Sequence, residues 1–173
     1  MDKIPFICVL HSGKLYGTER MTINTTKGLS HEYSAIILTP EGLVLAEAAS
    51  HEIATKCFTN DWNLICYLES YLAQHQKLVF ATTSVSQSIF IMLCNLFYRR
   101  QIIHLHMVHG GMEENLSYAH KSLLNNLPVK LIAVSNYVRE RLEIHGVNAK
   151  QIQVIENFLL TSETRKNAQT SPV

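Results

Sequence analysis

The chain has 173 residues, 47% hydrophobic and 17% charged, which is enough apolar material for one sizeable core and excludes a disordered polar chain. Its 15 basic and 14 acidic side chains leave a formal charge of +1, no basic stripe runs along the sequence, and no nucleic acid is expected as a partner. Cys8, Cys57, Cys66 and Cys94 stand far apart without a C-x-x-C pair, and no secretory leader follows Met1. Reduced thiols in a cytosol are the expectation.

In chain order, residues 6–10 form the first apolar run and read as a strand. A helix is expected over 18–29, a strand over 35–38 and a weaker strand over 53–58. Asp61 is placed to cap a helix whose Leu64, Ile65, Leu68 and Leu72 make one apolar stripe. Residues 77–81 read as a strand and 88–100 as a helix, with Arg99 and Arg100 where a helix dipole favours cations. Strands follow over 102–108 and 130–134, then a helix capped by Ser135, carrying Val138, Arg141 and Leu142 and stopped by Gly146, and a weaker strand over 152–155.

Residues 78–98 carry no formal charge, but Thr82, Thr83, Ser84, Ser86, Gln87 and Ser88 interrupt them. The apolar block left is well short of the roughly 20 residues that cross a bilayer, so a strand, a polar turn and a core helix are expected there. Several strands are apolar at nearly every position, as parallel strands covered on both faces require. The fold class is therefore α/β: a Rossmann-like three-layer sandwich, its mainly parallel sheet of about six or seven strands carrying helices on both faces. Residues 1–158 are assigned to this domain and 159–173 to a polar, disordered tail.

In such a sheet ligands lie beyond the carboxyl ends of the strands. The first segment there, His11 to Arg20, bends through Gly13 and Gly17 into a helix whose free amide hydrogens can face an anion. It is neither a dinucleotide fingerprint nor a phosphate-binding loop, and an ordinary strand-to-helix turn explains the same letters. Another such segment holds His104, His106 and His109. On a strand His104 and His106 share a face, and His109 falls at the strand end beside Gly110 and Gly111. The H-x-H-x-x-H spacing suggests zinc, yet Val108 stands where the metallo-β-lactamase-like motif needs aspartate, and the only aspartates are Asp2 and Asp61. No metal and no cofactor are expected. Glu113, Glu114, Asn115, Ser117 and Tyr118 follow, residue types that can read sugar hydroxyls or stand solvated on a loop.

Leu15-Tyr16-Gly17-Thr18-Glu19-Arg20-Met21 resembles the glycine-rich first loop of family 4 glycosyltransferases, a Gly-Gly-Ala-Glu-Arg type run. Gly17, Glu19 and Arg20 match it, whereas Tyr16 replaces one glycine and Thr18 the alanine. Residues 131–142, followed by His145-Gly146-Val147 and a strand ending at Asn157, are similar to the end of the same family's amino-terminal domain. The resemblance implies the amino-terminal, acceptor-side half of a GT-B fold and hexosyl transfer from a nucleotide-sugar to a saccharide or lipid acceptor. That chemistry would build cell-envelope polysaccharide from the cytoplasmic side, with peripheral contact at the inner face of the membrane. It implies a catalytic role for His109, or for His106, and leaves His104 to the core. Substrate contacts are expected from Gly13, Tyr16, Gly17, Thr18 and Glu19 in the first loop, and from Gly110 and Gly111.

The family's donor half carries an E-x7-E pair, and no two glutamates here have that spacing. The donor-binding domain is expected to be absent, supplied by a separate subunit or lost by truncation, and half a cleft should not transfer sugar well. Two other readings stand beside this one: a non-catalytic sugar- or lipid-acceptor binding module, and a metal-dependent hydrolase using His104, His106 and His109.

Overall fold

The computed structural model describes residues 3–29, 33–111 and 113–156, the side chains of 115 and 116 excepted. Asn157 and the tail assigned to 159–173 lie outside the described residues. Seven strands form one wholly parallel sheet: β1 (Ile4–Val9), β2 (Tyr33–Thr39), β3 (Ala54–Cys57), β4 (Lys77–Thr82), β5 (Gln101–Val108), β6 (Lys130–Ala133) and β7 (Ile152–Val154), in the order β3-β2-β1-β4-β5-β6-β7. The helices are α1 (Gly17–Leu29), α2 (Leu43–Ser50), α3 (Asp61–Gln74), α4 (Val85–Tyr98), the single turn α5 (Glu114–Ser117) and α6 (Asn136–Ile144).

The continuous apolar runs follow from this placement. In β1, Ile7 and Val9 meet Leu64, Leu68 and Leu72 of α3 and Ile91 of α4 on one face. Phe6 and Cys8 meet Ile23 of α1 and Val44 and Ala48 of α2 on the other. Burying each of the three α3 leucines contributes roughly 1.5–3 kcal/mol. The 78–98 stretch divides into β4, a turn and α4, and among the described residues no helix is long and apolar enough to cross a membrane.

Three local expectations change. The α3 cap is Asn60, whose side chain accepts from Asn63 N at 2.9 Å, and Asp61 is the first helical residue, where the dipole favours a carboxylate. Helix α4 starts at Val85 because Gln87 Oε1 accepts from the amides of Ser84 (3.1 Å) and Thr83 (3.3 Å), and it ends before the arginines. Arg99 is a left-handed cap at φ 51°, and the Arg100 guanidinium donates to the Leu72 carbonyl at 2.7 Å. The cation thus serves the carboxyl end of α3 and not that of its own helix. Helix α2 has no counterpart among the predicted elements, because eight residues are too few to show a helical period. For α6 the expected Ser135 cap is present, accepting from Val138 N at 3.2 Å.

The chain steps from β1 outward to β3, then crosses to β4 on the opposite side of β1 and steps away to β7. The reversal leaves a crevice at the carboxyl ends of β1 and β4, the place where open parallel sheets bind ligands.

Candidate functional site

The crevice is tied across its floor. His11, just beyond β1, donates its amide to Thr83 Oγ1 at 3.0 Å and places Nδ1 2.9 Å from the same oxygen, while the Thr83 amide donates to the Val9 carbonyl at 3.2 Å. Above this tie opens a cleft of about 410 Å³. Its walls include His11, Thr18 at the start of α1, Ser84 at the start of α4, His109 and Gly110 after β5, and Lys121. Two helix amino termini thus present partial positive charge at one cavity, a setting suited to phosphate or to a developing anion.

His109 is half-buried, and its Nε2 is enclosed without a hydrogen-bond partner. Burial, and secondarily repulsion from His11, holds its pKa below the ordinary histidine value. The ring is therefore neutral at pH 7, able to accept a proton from a hydroxyl or to donate a hydrogen bond. Gly110, next to it, turns at φ 82°, a left-handed conformation that favours glycine.

His104 and His106 do not join this wall. They lie on the α4 side of β5, 2% and 0% exposed, in a polar knot with Thr82 and Ser88. His106 Nδ1 is 2.9 Å from Ser88 Oγ and 3.3 Å from Thr82 Oγ1, and His104 Nε2 is 3.3 Å from that Thr82 oxygen. Burial pushes the His104 pKa down to about 4. Burial, then Lys121 and His104, take that of His106 to about 3. Both rings are neutral and sealed from solvent. The three histidines of the H-x-H-x-x-H run do not converge, and the described residues hold no group of three metal-ligand side chains.

The first loop divides similarly. Thr18 reaches the cleft, and Tyr16 is exposed. Glu19 is 1% exposed and accepts from its own loop at Tyr16 N, 3.2 Å away, as the third helical residue of a capping box does. Gly13 is buried where a Cβ would run into the backbone of Pro40 and Glu41, and its carbonyl accepts from Val44 N at 3.1 Å. Gly13 thus serves loop packing. Gly13→Ala should lower stability by about 1–3 kcal/mol, the usual cost of overpacking, and a urea midpoint equal to the parent's would refute this assignment. At Gly17 a Cβ meets no atom within 4 Å. Gly111 is exposed, with the Ser117 hydroxyl where its Cβ would stand.

Glu114 is engaged elsewhere. Its Oε2 accepts from Arg141 Nη2 at 2.6 Å and lies 2.8 Å from His145 Nε2, and the Arg141 and His145 hydrogen bonds hold its carboxyl below the usual range. This pins α5 to α6, and the buried Tyr118 stacks on His145. Glu113 is exposed, Ser117 lines the cleft, and the side chain of Asn115 lies outside what is described. Thr83 and Ser84 escaped the sequence reading, although their place directly after an apolar strand marked them; His120 and Lys121 carry no such mark.

The chain superposes on the Anabaena protein Alr3699/HepE in complex with UDP with a TM-score of 0.73 and 17% identity, covering 90% of this chain and 44% of that one. The fold is one α/β half of the GT-B architecture. A glycosyltransferase from Rickettsia africae matches this half at TM-score 0.66 and 21% identity, over 90% of this chain and 43% of its own. The lipopolysaccharide outer core galactosyltransferase WaaB, in its apo form, matches at 0.63 and 14%, over 91% and 46%. The chain therefore spans less than half the length of these similar proteins. No family model matches the sequence, and no curated protein matches it.

Proposed function

We propose that residues 1–158 are the amino-terminal, acceptor-side domain of a family 4 glycosyltransferase, which transfers a hexosyl group from a nucleotide-sugar to a saccharide or lipid acceptor. The supporting observation is the cleft at the β1–β4 reversal, which His109 lines together with Thr18 and Ser84 at the starts of α1 and α4. In the reaction the acceptor oxygen bonds to the anomeric carbon as the bond to the diphosphate oxygen breaks, and the acceptor hydroxyl's proton passes to the neutral His109 ring or to the departing phosphate oxygen. His109 orients the acceptor hydroxyl, and the starts of α1 and α4 face the charge that develops on the diphosphate. HepE's complexes with UDP and UDP-glucose support a uridine-nucleotide donor, and a cytoplasmic reaction is part of the same proposal. A donor-binding half, on this polypeptide or a partner's, completes the cleft and excludes water.

The test is transfer of radiolabelled sugar by the 173-residue chain alone and by the chain joined to a donor-binding half. The chain alone should transfer nothing measurable, and the joined protein should be active. Robust transfer by the chain alone would remove the need for a second half. A folded joined protein that binds acceptor and transfers nothing would favour the non-catalytic module.

A further inference from the structure

The cleft at the β1–β4 reversal is lined by bases and by no acid. His11, His109, His120 and Lys121 stand on its walls, and no Asp or Glu is among the described residues that line it. The carboxylates closest to those walls along the chain are engaged or lie outside the lining. Glu19 is buried against its own loop, Glu114 is held by Arg141 and His145, and Glu41 and Glu113 are exposed. Glu156 lines a separate apolar groove that His109 also borders. A cleft whose only ionisable side chains are bases concentrates anions.

The bases are spread along the cleft in an order that the sheet sets. Thr18 follows β1, Ser84 follows β4 and His109 follows β5, so the three stand in succession across neighbouring strands. The 3-10 turn Ala119–Leu124 comes after β5, packs against both α4 and α6, and adds His120 and Lys121 beyond His109. Lys121 is half-buried, and burial lowers its pKa. An ammonium partly withdrawn from water attracts an anion more strongly than one in bulk solvent. Anion-binding groups thus stand on both sides of His109: two helix amino termini on one, His120 and Lys121 on the other.

In the transfer reaction the helix starts face the donor diphosphate and His109 faces the acceptor hydroxyl, which leaves the wall beyond His109 to the rest of the acceptor. We propose that the acceptor is itself anionic, a phosphorylated saccharide whose phosphate is held by Lys121 and His120 while one of its hydroxyls reaches His109. A lysine binds phosphate as a point charge, and an imidazole N–H adds a directed donor. Assigning this phosphate to the acceptor rests on the transfer reading; the anion site itself does not. A lipid phosphate is the weaker candidate, because the wall that carries Lys121 is built from polar side chains and the apolar groove opens on the other side of His109.

Titration calorimetry of the purified chain with glucose 6-phosphate, glucose and octyl phosphate tests the site. Glucose 6-phosphate should bind about tenfold or more tightly than glucose, and more tightly than octyl phosphate. Lys121→Met should weaken that binding about fivefold or more, Lys121→Arg should keep most of it, and His120→Ala, at an exposed side chain, should weaken it about threefold. Thermal melts matching the parent's show the variants folded. In the chain joined to a donor-binding half, glucose 6-phosphate should still bind when UDP is saturating. The proposal is overturned by no binding of glucose 6-phosphate at millimolar concentration, by equal affinity for glucose, or by undiminished binding of both Lys121→Met and His120→Ala. Tighter binding of octyl phosphate would overturn it by making the anion a lipid's, and displacement by UDP would overturn it by giving the wall to the donor. A joined protein that binds glucose 6-phosphate beside UDP and transfers sugar to no acceptor would unseat the transfer reading and leave the anion site standing.

Discussion

Lowering the pH from 7 to 5 should remove about 4 kcal/mol of folding stability through two histidines alone. In the folded protein burial holds His104 near pKa 4 and His106 near 3, both below the ordinary value of 6.5. An unfolded chain protonates both as the pH passes below 6.5, while the folded chain resists until near their folded values. Between those limits the unfolded state binds more protons, so stability is full above about pH 6.5 and falls as acid is added. A pH of 5 lies about one and a half units below the free histidine value and above both folded values, which is worth about 2 kcal/mol per histidine. Against a typical stability of about 5–15 kcal/mol that is a large fraction. The measurement is urea unfolding at pH 7 and pH 5, with the midpoint of His106→Gln followed across the same range. The variant starts less stable, since it disturbs the contacts to Ser88 and Thr82, but its loss on acidification should be about half the parent's. Equal stability of the parent at the two pH values would contradict the buried, neutral state of both rings.

In the joined, active protein, His109→Ala should reduce turnover by about 10²–10⁴-fold, the usual span for loss of a positioned acid or base. Folding stability should change by less than about 1 kcal/mol, because the side chain is only half-buried and no described hydrogen bond satisfies Nε2. The depressed pKa adds a second readout: the acid limb of the activity profile should fall below pH 6.5, since burial and His11 oppose protonation of the ring. His109→Gln separates two roles. It retains hydrogen-bonding groups and should restore part of the rate if the ring only orients the acceptor, and none if the ring carries the proton. Full activity of His109→Ala would take this residue out of the site, and activity would then have to rest on other cleft groups such as Thr83 or Lys121.

The histidine run shows where sequence reading stops. Alternation along β5 places His104 and His106 on one face, and that prediction holds. Which face meets the cleft depends on α4 covering the sheet at Thr82 and Ser88, and that contact makes His106 part of the core. Glu114 offers the same lesson, because its partners Arg141 and His145 come from a helix more than 25 positions away. The glycines of the first loop also divide by tertiary contact: Gly13 packs on Pro40 and Glu41, whereas Gly17 faces open space.

The sequence by itself determined the α/β class, the five strong strands and the two weaker ones, and the Ser135 cap. These follow from local rules: a strand buried on both faces must be apolar throughout, and a capped helix announces its own start. It also marked the turn after β1, because ligand contacts in open sheets cluster beyond strand ends. The tertiary structure decided the strand order, and with it the reversal between β1 and β4 that brings His11 and Thr83 together across 72 positions. Local periodicity reports how each segment is buried. Which strand ends become neighbours is set by crossover handedness and pairing register, which no single segment encodes.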